Sequence, residues 1–209
     1  KILNAIYEPV FVEESFGFRP GRSCHGAIQN LHSYLSTKNY GAIIDVDLSN
    51  FFGTINHRKL IQLLEKKIKD KVFIRYIVRM LKAGVLSDGE LTLSDDGTPQ
   101  GSIISPVLSN IFAHYAIDIF IKENGGKDKL SSDNIHMVRY ADDLVLCVKT
   151  RDAEKVLNKL KERLKRFSLE LNESKTTVVN FSRAFAAKGI DQGAFKFLGF
   201  TFYIGAARN

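Results

Sequence analysis

The sequence predicts an α+β domain in which a mixed antiparallel sheet carries helices on one face. Three observations support this. Residues 41–48, Gly-Ala-Ile-Ile-Asp-Val-Asp-Leu, alternate and stop at Ser49-Asn50-Phe51-Phe52, the pattern of a buried strand delivering carboxylates to its end. Two β-forming apolar runs, 135–138 and 144–148, flank Tyr140-Ala141-Asp142-Asp143, which predicts a hairpin with these four residues at its turn. The remaining segments place Leu, Ile and Val at helical spacing, giving the order β, α, α, hairpin, α, β, β, α, β.

The 209 residues are 44% apolar, enough to fill the core of one large domain or of a core with an appendage. Thirty Lys and Arg against 23 Asp and Glu give a net charge of +7, which favours a polyanionic partner. Residues 151–190 hold much of that excess, ten Lys or Arg against five Asp or Glu. Cys24 and Cys147 are too few for a disulfide framework or a zinc site, so a reduced, cytoplasmic setting is expected. No apolar run approaches the roughly 18–20 residues that span a bilayer, so no membrane partner is expected. Lys1-Ile2-Leu3-Asn4-Ala5-Ile6 reads as the middle of an amphipathic helix, as if the chain were cut from something longer.

In order along the chain, residues 1–10 predict the end of a helix closed by Pro9. Ser15-Phe16-Gly17-Phe18-Arg19-Pro20-Gly21-Arg22-Ser23 is a loop whose Arg19 and Arg22 are placed to meet phosphate. Ser23 caps a helix to about 37. After the strand at 41–48, Asn56-His57 opens a helix to about 68, with His57 read as a cap or surface residue. Asp70 caps another to about 83. Residues 85–98 predict a polar hairpin, and Ser105 with Pro106 starts a long helix to about 122. Beyond the Asp-Asp hairpin, Asp152 caps a basic amphipathic helix to about 168, residues 176–181 form a strand, and residues 192–204 form a last hairpin.

Adjacent carboxylates at a tight turn suit a hard cation such as Mg²⁺. Asp45 and Asp47 lie two apart on a strand and so share a face of the sheet. Nucleotidyl transfer uses two divalent ions roughly 3.5–4 Å apart, and carboxylates on neighbouring strand ends can bridge both. Pairing Asp47 with Asp142 is a hypothesis that spacing alone does not give.

Five stretches resemble the successive motifs of a reverse transcriptase, in order: Phe16 to Ser23, Asp47 to Phe52, Thr98 to Pro106, Tyr140 to Asp143, and Phe197 to Phe200. Leu171-Asn172-Glu173-Ser174-Lys175-Thr176 resembles the segment between the last two. Phe-Gly-Phe-Arg-Pro-Gly-Arg-Ser together with Gly-Thr-Pro-Gln-Gly-Ser-Ile-Ile-Ser-Pro is similar to bacterial group II intron-encoded proteins, which combine reverse transcriptase and maturase.

The resemblance implies a right-hand polymerase palm with partial fingers: a fingers segment at 1–40, the palm at 41–209, and a primer-grip hairpin at 194–204. A preceding fingers segment and a following thumb and maturase region are expected to lie outside this chain, and this fragment alone is expected to have weak or no activity. By position, Asp47 and Asp142 become the principal ligands of two Mg²⁺ ions, with Mn²⁺ as a substitute; Asp143 is the third carboxylate, and the carbonyl of Val46 or Leu48 adds an oxygen. Asp45 supports the strand end. Phe52, or Phe51 if the turn shifts, lies under the incoming sugar and excludes a ribose 2′-OH. Gln100 and Gly101 lie along the template and nascent base pair, and Lys175 donates the proton to pyrophosphate. Phe197, Leu198 and Gly199 hold the primer, and Arg19 and Arg22 meet phosphate. The implied partners are an RNA template (intron RNA), a DNA primer and deoxynucleoside triphosphates. Two other readings stay open: a retron, diversity-generating or defence-associated reverse transcriptase, and an RNA-binding splicing module with little polymerase activity.

Overall fold

The computed structural model describes residues 1–38, 40–82, 85–87, 90–92, 96–98, 103–124 and 135–205. In chain order, helices α1 (Ile2–Tyr7) and α2 (Cys24–Thr37) precede strand β1 (Ala42–Val46). Helices α3 (Phe51–Thr54), α4 (His57–Glu65) and α5 (Lys71–Lys82) lead to the small hairpin β2 (Val85–Ser87) and β3 (Glu90–Thr92). Helix α6 (Ser105–Ala113) runs through a π-helical segment (His114–Asp118) into α7 (Ile119–Asn124). Strands β4 (His136–Tyr140) and β5 (Asp143–Val148) form the hairpin, followed by α8 (Ala153–Arg166), β6 (Thr177–Asn180), α9 (Arg183–Ala186) and the hairpin β7 (Phe195–Phe197) and β8 (Phe200–Phe202).

The central sheet has the order β4-β5-β1-β6, and every pairing in it is antiparallel. β1 is an interior strand, which explains its near-continuous apolar run. Alternation sends Ala42, Ile44 and Val46 to one face, where Leu144, Leu146, Val148 and Met137 join them. That face packs on α1, α4, α5, α6 and α8 through Leu3, Tyr7, Leu60, Leu64, Ile77, Leu108, Phe112, Val156 and Leu160. The opposite face presents Ile43, Val138, Val145 and Cys147, which pack on Ala27, Leu31 and Leu35 of α2 and on Phe181, Phe195 and Phe197. One helix therefore covers part of the second face, an arrangement the one-faced expectation did not include. Residues before position 40 contribute to both cores.

Local chemistry explains the boundaries. Ser23 caps α2, its hydroxyl accepting from the Gly26 N–H at 3.1 Å. Asn56 caps α4 by accepting from the Lys59 N–H at 3.0 Å. Asp70 accepts from the Val72 and Phe73 N–H groups at 2.8 and 3.1 Å at the start of α5. Ser105 is the first helical residue rather than the cap, since Ile104 precedes it at the cap position. The predicted long helix is present, but its π turn, closed by the Ile119 N–H to His114 carbonyl bond, shifts the side-chain register midway. Asp152 ends a 3-10 turn, Thr150–Asp152, and makes no side-chain cap bond with α8.

Candidate active site

The Asp-Asp stretch is a two-residue hairpin: Tyr140 pairs with Asp143, leaving Ala141 and Asp142 as the turn. Ala141 has φ +57°, the left-handed geometry that a tight two-residue hairpin needs at its first central position. The β1–β5 register runs from Ala42 opposite Val148 to Val46 opposite Leu144. One further step places Asp47 across from Asp143, and Asp45 two residues back is on the same face. Strand ends far apart in sequence thus bring Asp45, Asp47 and Asp143 to one corner of the sheet, with Asp142 on the turn beside them.

The carboxylates at this corner repel one another. Burial pushes the Asp45 carboxyl up to about 6, helped by the negative charges of Asp143 and Asp47. Asp143 is exposed at the strand edge; partial cover, then Asp142 and Asp47, raise its carboxyl above the usual range. Among the described residues, none of these four carboxylates makes a side-chain hydrogen bond or ion pair with a cation. Nor do any three His, Cys, Asp or Glu side chains among the described residues form a ready-made metal cage. An all-oxygen donor set under mutual repulsion, open on one side, fits a hard divalent cation whose remaining ligands come from a substrate.

The backbone around Asp47 is held from the other side. Asn172 N–H donates to the Asp47 carbonyl at 2.8 Å, Ser49 N–H donates to the Glu170 carbonyl at 2.9 Å, and Leu48 bridges Leu171. The Thr176 hydroxyl accepts from the Asp47 N–H at 3.2 Å. Strand alternation then turns the Leu48 carbonyl away from Asn172, toward the side of the sheet that carries the Asp142 turn. Val46, in contrast, is inside the ladder opposite Leu144. Lys175 is exposed on the turn that links Asn172 to β6, two residues from Thr177, which pairs with Asp45.

Phe51 and Phe52 separate cleanly. Phe51 is 2% exposed in the main core, whereas Phe52 is half-buried and meets the exposed Phe18 ring edge-on at 6.4 Å. Phe18 also reaches Tyr140, at 6.5 Å, so three aromatic rings line the approach to the turn. The Phe52 carbonyl accepts from the Thr98 N–H at 2.7 Å, which ties α3 to the base of the 98–106 motif. Asn56 Nδ2 donates to Asp96 at 2.8 Å, and His57 Nε2 bonds the Gly97 carbonyl. His57 is therefore a buried tie at 7% exposure rather than the cap or surface residue expected. Gln100 and Gly101 lie outside the described residues.

Other expectations are corrected. Arg19 does not face solvent: it is buried, its guanidinium donating to Glu8 at 2.7 and 3.0 Å and to the Val12 and Ser15 carbonyls at 2.6 Å each. A rigid loop of this kind needs its own internal donor, and Arg19 supplies it. Arg22 remains exposed, with one bond to the Glu13 carbonyl and its guanidinium 5.4 Å from the Phe16 ring centroid. The last hairpin turns at Leu198 and Gly199, both at positive φ. Phe197 is only 3% exposed and stands in the second core, so it is a packing residue; Leu198 is half-buried, while Gly199 and Phe200 face outward.

Sequence reasoning missed the group beneath the turn: Arg139, Asp118, Asn110 and Ser15, all buried. The available signal was Arg139 itself, because an inward charge in an apolar strand demands a partner. No helix among the described residues is long and apolar enough to cross a membrane.

Comparison with known proteins agrees with this geometry. Residues 1–202 match the family model described as reverse transcriptase (RNA-dependent DNA polymerase). A 91 kDa protein encoded in the cob intron of Schizosaccharomyces pombe is 46% identical over 121 residues, covering 58% of this chain and 15% of that protein. Group II intron-encoded protein LtrA of Lactococcus lactis is 41% identical over 120 residues, covering 57% of this chain and 20% of LtrA. YkfC of Escherichia coli is 30% identical over 218 residues, covering 90% of this chain and 57% of YkfC. The matches thus span about a fifth or less of the first two relatives. An apo telomerase structure from Candida tropicalis superposes with TM-score 0.70 at 15% identity, covering 95% of this chain and 41% of that one, a likeness of fold. With nearly its whole length matched and its paired carboxylates at the strand ends of a palm-like sheet, the chain belongs to the reverse transcriptase family.

Proposed function

We propose that the chain is the palm, with part of the fingers at residues 1–40, of an RNA-directed DNA polymerase of the group II intron type. The observation that carries this reading is the corner of carboxylates, without a counter-cation among the described residues, reached from both β1 and the β4–β5 turn. Asp47, Asp142 and Asp143, with the Leu48 carbonyl, would hold two Mg²⁺ or Mn²⁺ ions. Ions bound there would supply charge neutralisation for the triphosphate and acidity for the primer hydroxyl. In the reaction, the primer 3′-hydroxyl gives its proton to solvent, its oxygen forms a bond to the α-phosphorus of a deoxynucleoside triphosphate, and the bond to pyrophosphate breaks.

The chain's own groups orient these atoms. The half-buried Phe52 ring offers its edge beside Phe18 as a floor for the sugar, too close for a 2′-hydroxyl. Lys175, exposed on a turn fastened to Asp47 through Asn172, donates the proton that pyrophosphate takes up on leaving. Arg22, with Gly199 and Phe200 on the outer hairpin, contacts the RNA template and DNA primer. Relatives named as intron proteins, group II among them, support intron RNA as template, and a splicing (maturase) role goes with that reading.

The test is primer extension on an RNA template with Mg²⁺ and deoxynucleotides, comparing wild type with Asp142→Asn. Extension by wild type alone, with RNA binding retained by the variant, supports the polymerase reading. RNA binding without extension by either supports the splicing module instead.

A further inference from the structure

The largest fully buried side chain among the described residues is Arg139, one residue before the Tyr-Ala-Asp-Asp turn and on the sheet face that packs on α1, α4, α5, α6 and α8. All five of its N–H donors are used. Nε and Nη2 grip the two oxygens of Asp118 at 2.7 and 2.8 Å. Nη1 donates to Asn110 Oδ1 at 3.1 Å and to the Ala141 carbonyl at 2.8 Å, and Nη2 also donates to Ser15 Oγ at 2.8 Å. Asn110 in turn donates from Nδ2 to the Gly17 carbonyl at 2.6 Å. The loop backbone closes the other side: the Arg139 N–H donates to the Glu14 carbonyl and the Phe16 N–H donates to the Arg139 carbonyl, at 2.9 and 2.8 Å. Gly17 lies so close that a Cβ there would fall 2.3 Å from the Ala141 nitrogen.

The Ala141 carbonyl belongs to the peptide plane that joins Ala141 to Asp142. Ala141 is held at a positive φ that an alanine does not adopt without support. A guanidinium clamped by a bidentate carboxylate offers a fixed donor to that carbonyl, where a flexible side chain would not. The π turn of the long helix is what brings Asp118 under Arg139.

We infer that Arg139 is a positioning residue: through the Ala141 carbonyl it fixes the peptide plane from which Asp142 projects, and Asp118 fixes Arg139. This rests on the reading of Asp142 as a metal ligand. It assigns to the buried network a role in metal affinity and turnover rather than in folding alone.

The test uses the complete protein and three readouts. Arg139→Lys keeps the charge but lacks the fork, and Asp118→Asn keeps the shape but not the charge. With RNA affinity within twofold of wild type, each should lower kcat at least tenfold with the KM for deoxynucleotide changed less than threefold. Each should also raise the half-saturating Mg²⁺ concentration at least fivefold, and calorimetry with Mg²⁺ alone should show the same weakening. Folded variants with wild-type kcat and Mg²⁺ affinity overturn the inference. If both variants fail to fold, the wild-type protein decides: the buried Arg139 Nε–H resonance should move on addition of Mg²⁺ and stay still in Asp142→Asn, and an unmoved wild-type resonance overturns the inference. Absence of extension by wild type, with Mg²⁺ binding still weakened by Arg139→Lys, would sink the polymerase reading and leave the positioning role standing.

Discussion

The two faces of the sheet beneath one turn handle buried charge in opposite ways. On the helix-covered face, burial pushes the Asp118 carboxyl up, but the Arg139 charge and its hydrogen bonds outweigh that and hold it below the usual range. On the other face, Asp45 is raised by burial and by Asp143 and Asp47, and Asp143 by partial cover and by Asp142 and Asp47, with no side-chain ion pair to either among the described residues. Arg139, the guanidinium one residue before the turn, is instead paired with Asp118 on the first face. The difference separates structure from chemistry: a satisfied pair fixes the turn, and an unsatisfied cluster leaves room for an exogenous cation.

The sharpest way to break this comparison is to remove one carboxylate from each face. Asp142→Asn should lower primer extension by at least about 10²–10³-fold while leaving the melting temperature unchanged or raised. Asp118→Ala should instead destabilise the protein by about 3–5 kcal/mol, because it strands the Arg139 guanidinium in the interior. Thermal melts beside extension assays check both; equal losses of stability in the two variants would erase the distinction between the faces.

A second contrast separates the two phenylalanines that follow the Asp47 strand. Phe51→Ala should cost about 3–5 kcal/mol as a core truncation. Phe52→Val should change stability by less and should raise incorporation of ribonucleotides relative to deoxyribonucleotides, measured by competitive extension. Unchanged selectivity in Phe52→Val would remove the sugar floor from that ring.

The third concerns pH. The folded pKa of Asp45 is raised, so its ionisation removes stability as pH rises from the ordinary carboxylate value through about 6. Asp45→Asn should therefore be the more stable protein at pH 7–8, by on the order of 1–3 kcal/mol, and lose that advantage near pH 4. Added Mg²⁺ should shrink the gap at pH 7. Asp118 has the opposite sign: its contribution is present above the unfolded value of 3.8 and is lost as pH falls below it. The melting-temperature gap between wild type and Asp118→Asn should stay level from pH 5 to 8 and narrow below about pH 4.

Local pattern made much of this legible. Alternation at 41–48 and the paired apolar runs around 140–143 gave β1 and the β4–β5 hairpin, because a strand's face assignment depends only on counting by two. Motif order from Phe16 to Phe200 gave the family that residues 1–202 match. Ser23, Asn56 and Asp70 announced their helices because a cap acts within three residues.

What counting could not decide were choices that depend on partners far along the chain. Arg19 and Arg22 look equivalent in sequence, but Glu8 and the Val12 carbonyl lie within reach of only the first. Phe51 and Phe52 differ because α3 turns one ring into the core and the other toward Phe18. Phe197 became core because the hairpin strand that carries it and Phe195 packs with Phe181 in the second core. The pairing of Arg139 with Asp118 depends on a π turn that shifts the helix register, and such a slip leaves no mark in hydrophobic periodicity. The sequence alone determined the main strands and helices, though not the short α3 and α9, and which carboxylates end β1 and the β4–β5 hairpin. Only chain closure decided which charges are neutralised inside and which are left facing out, since burial and the partner together set the cost of each charge.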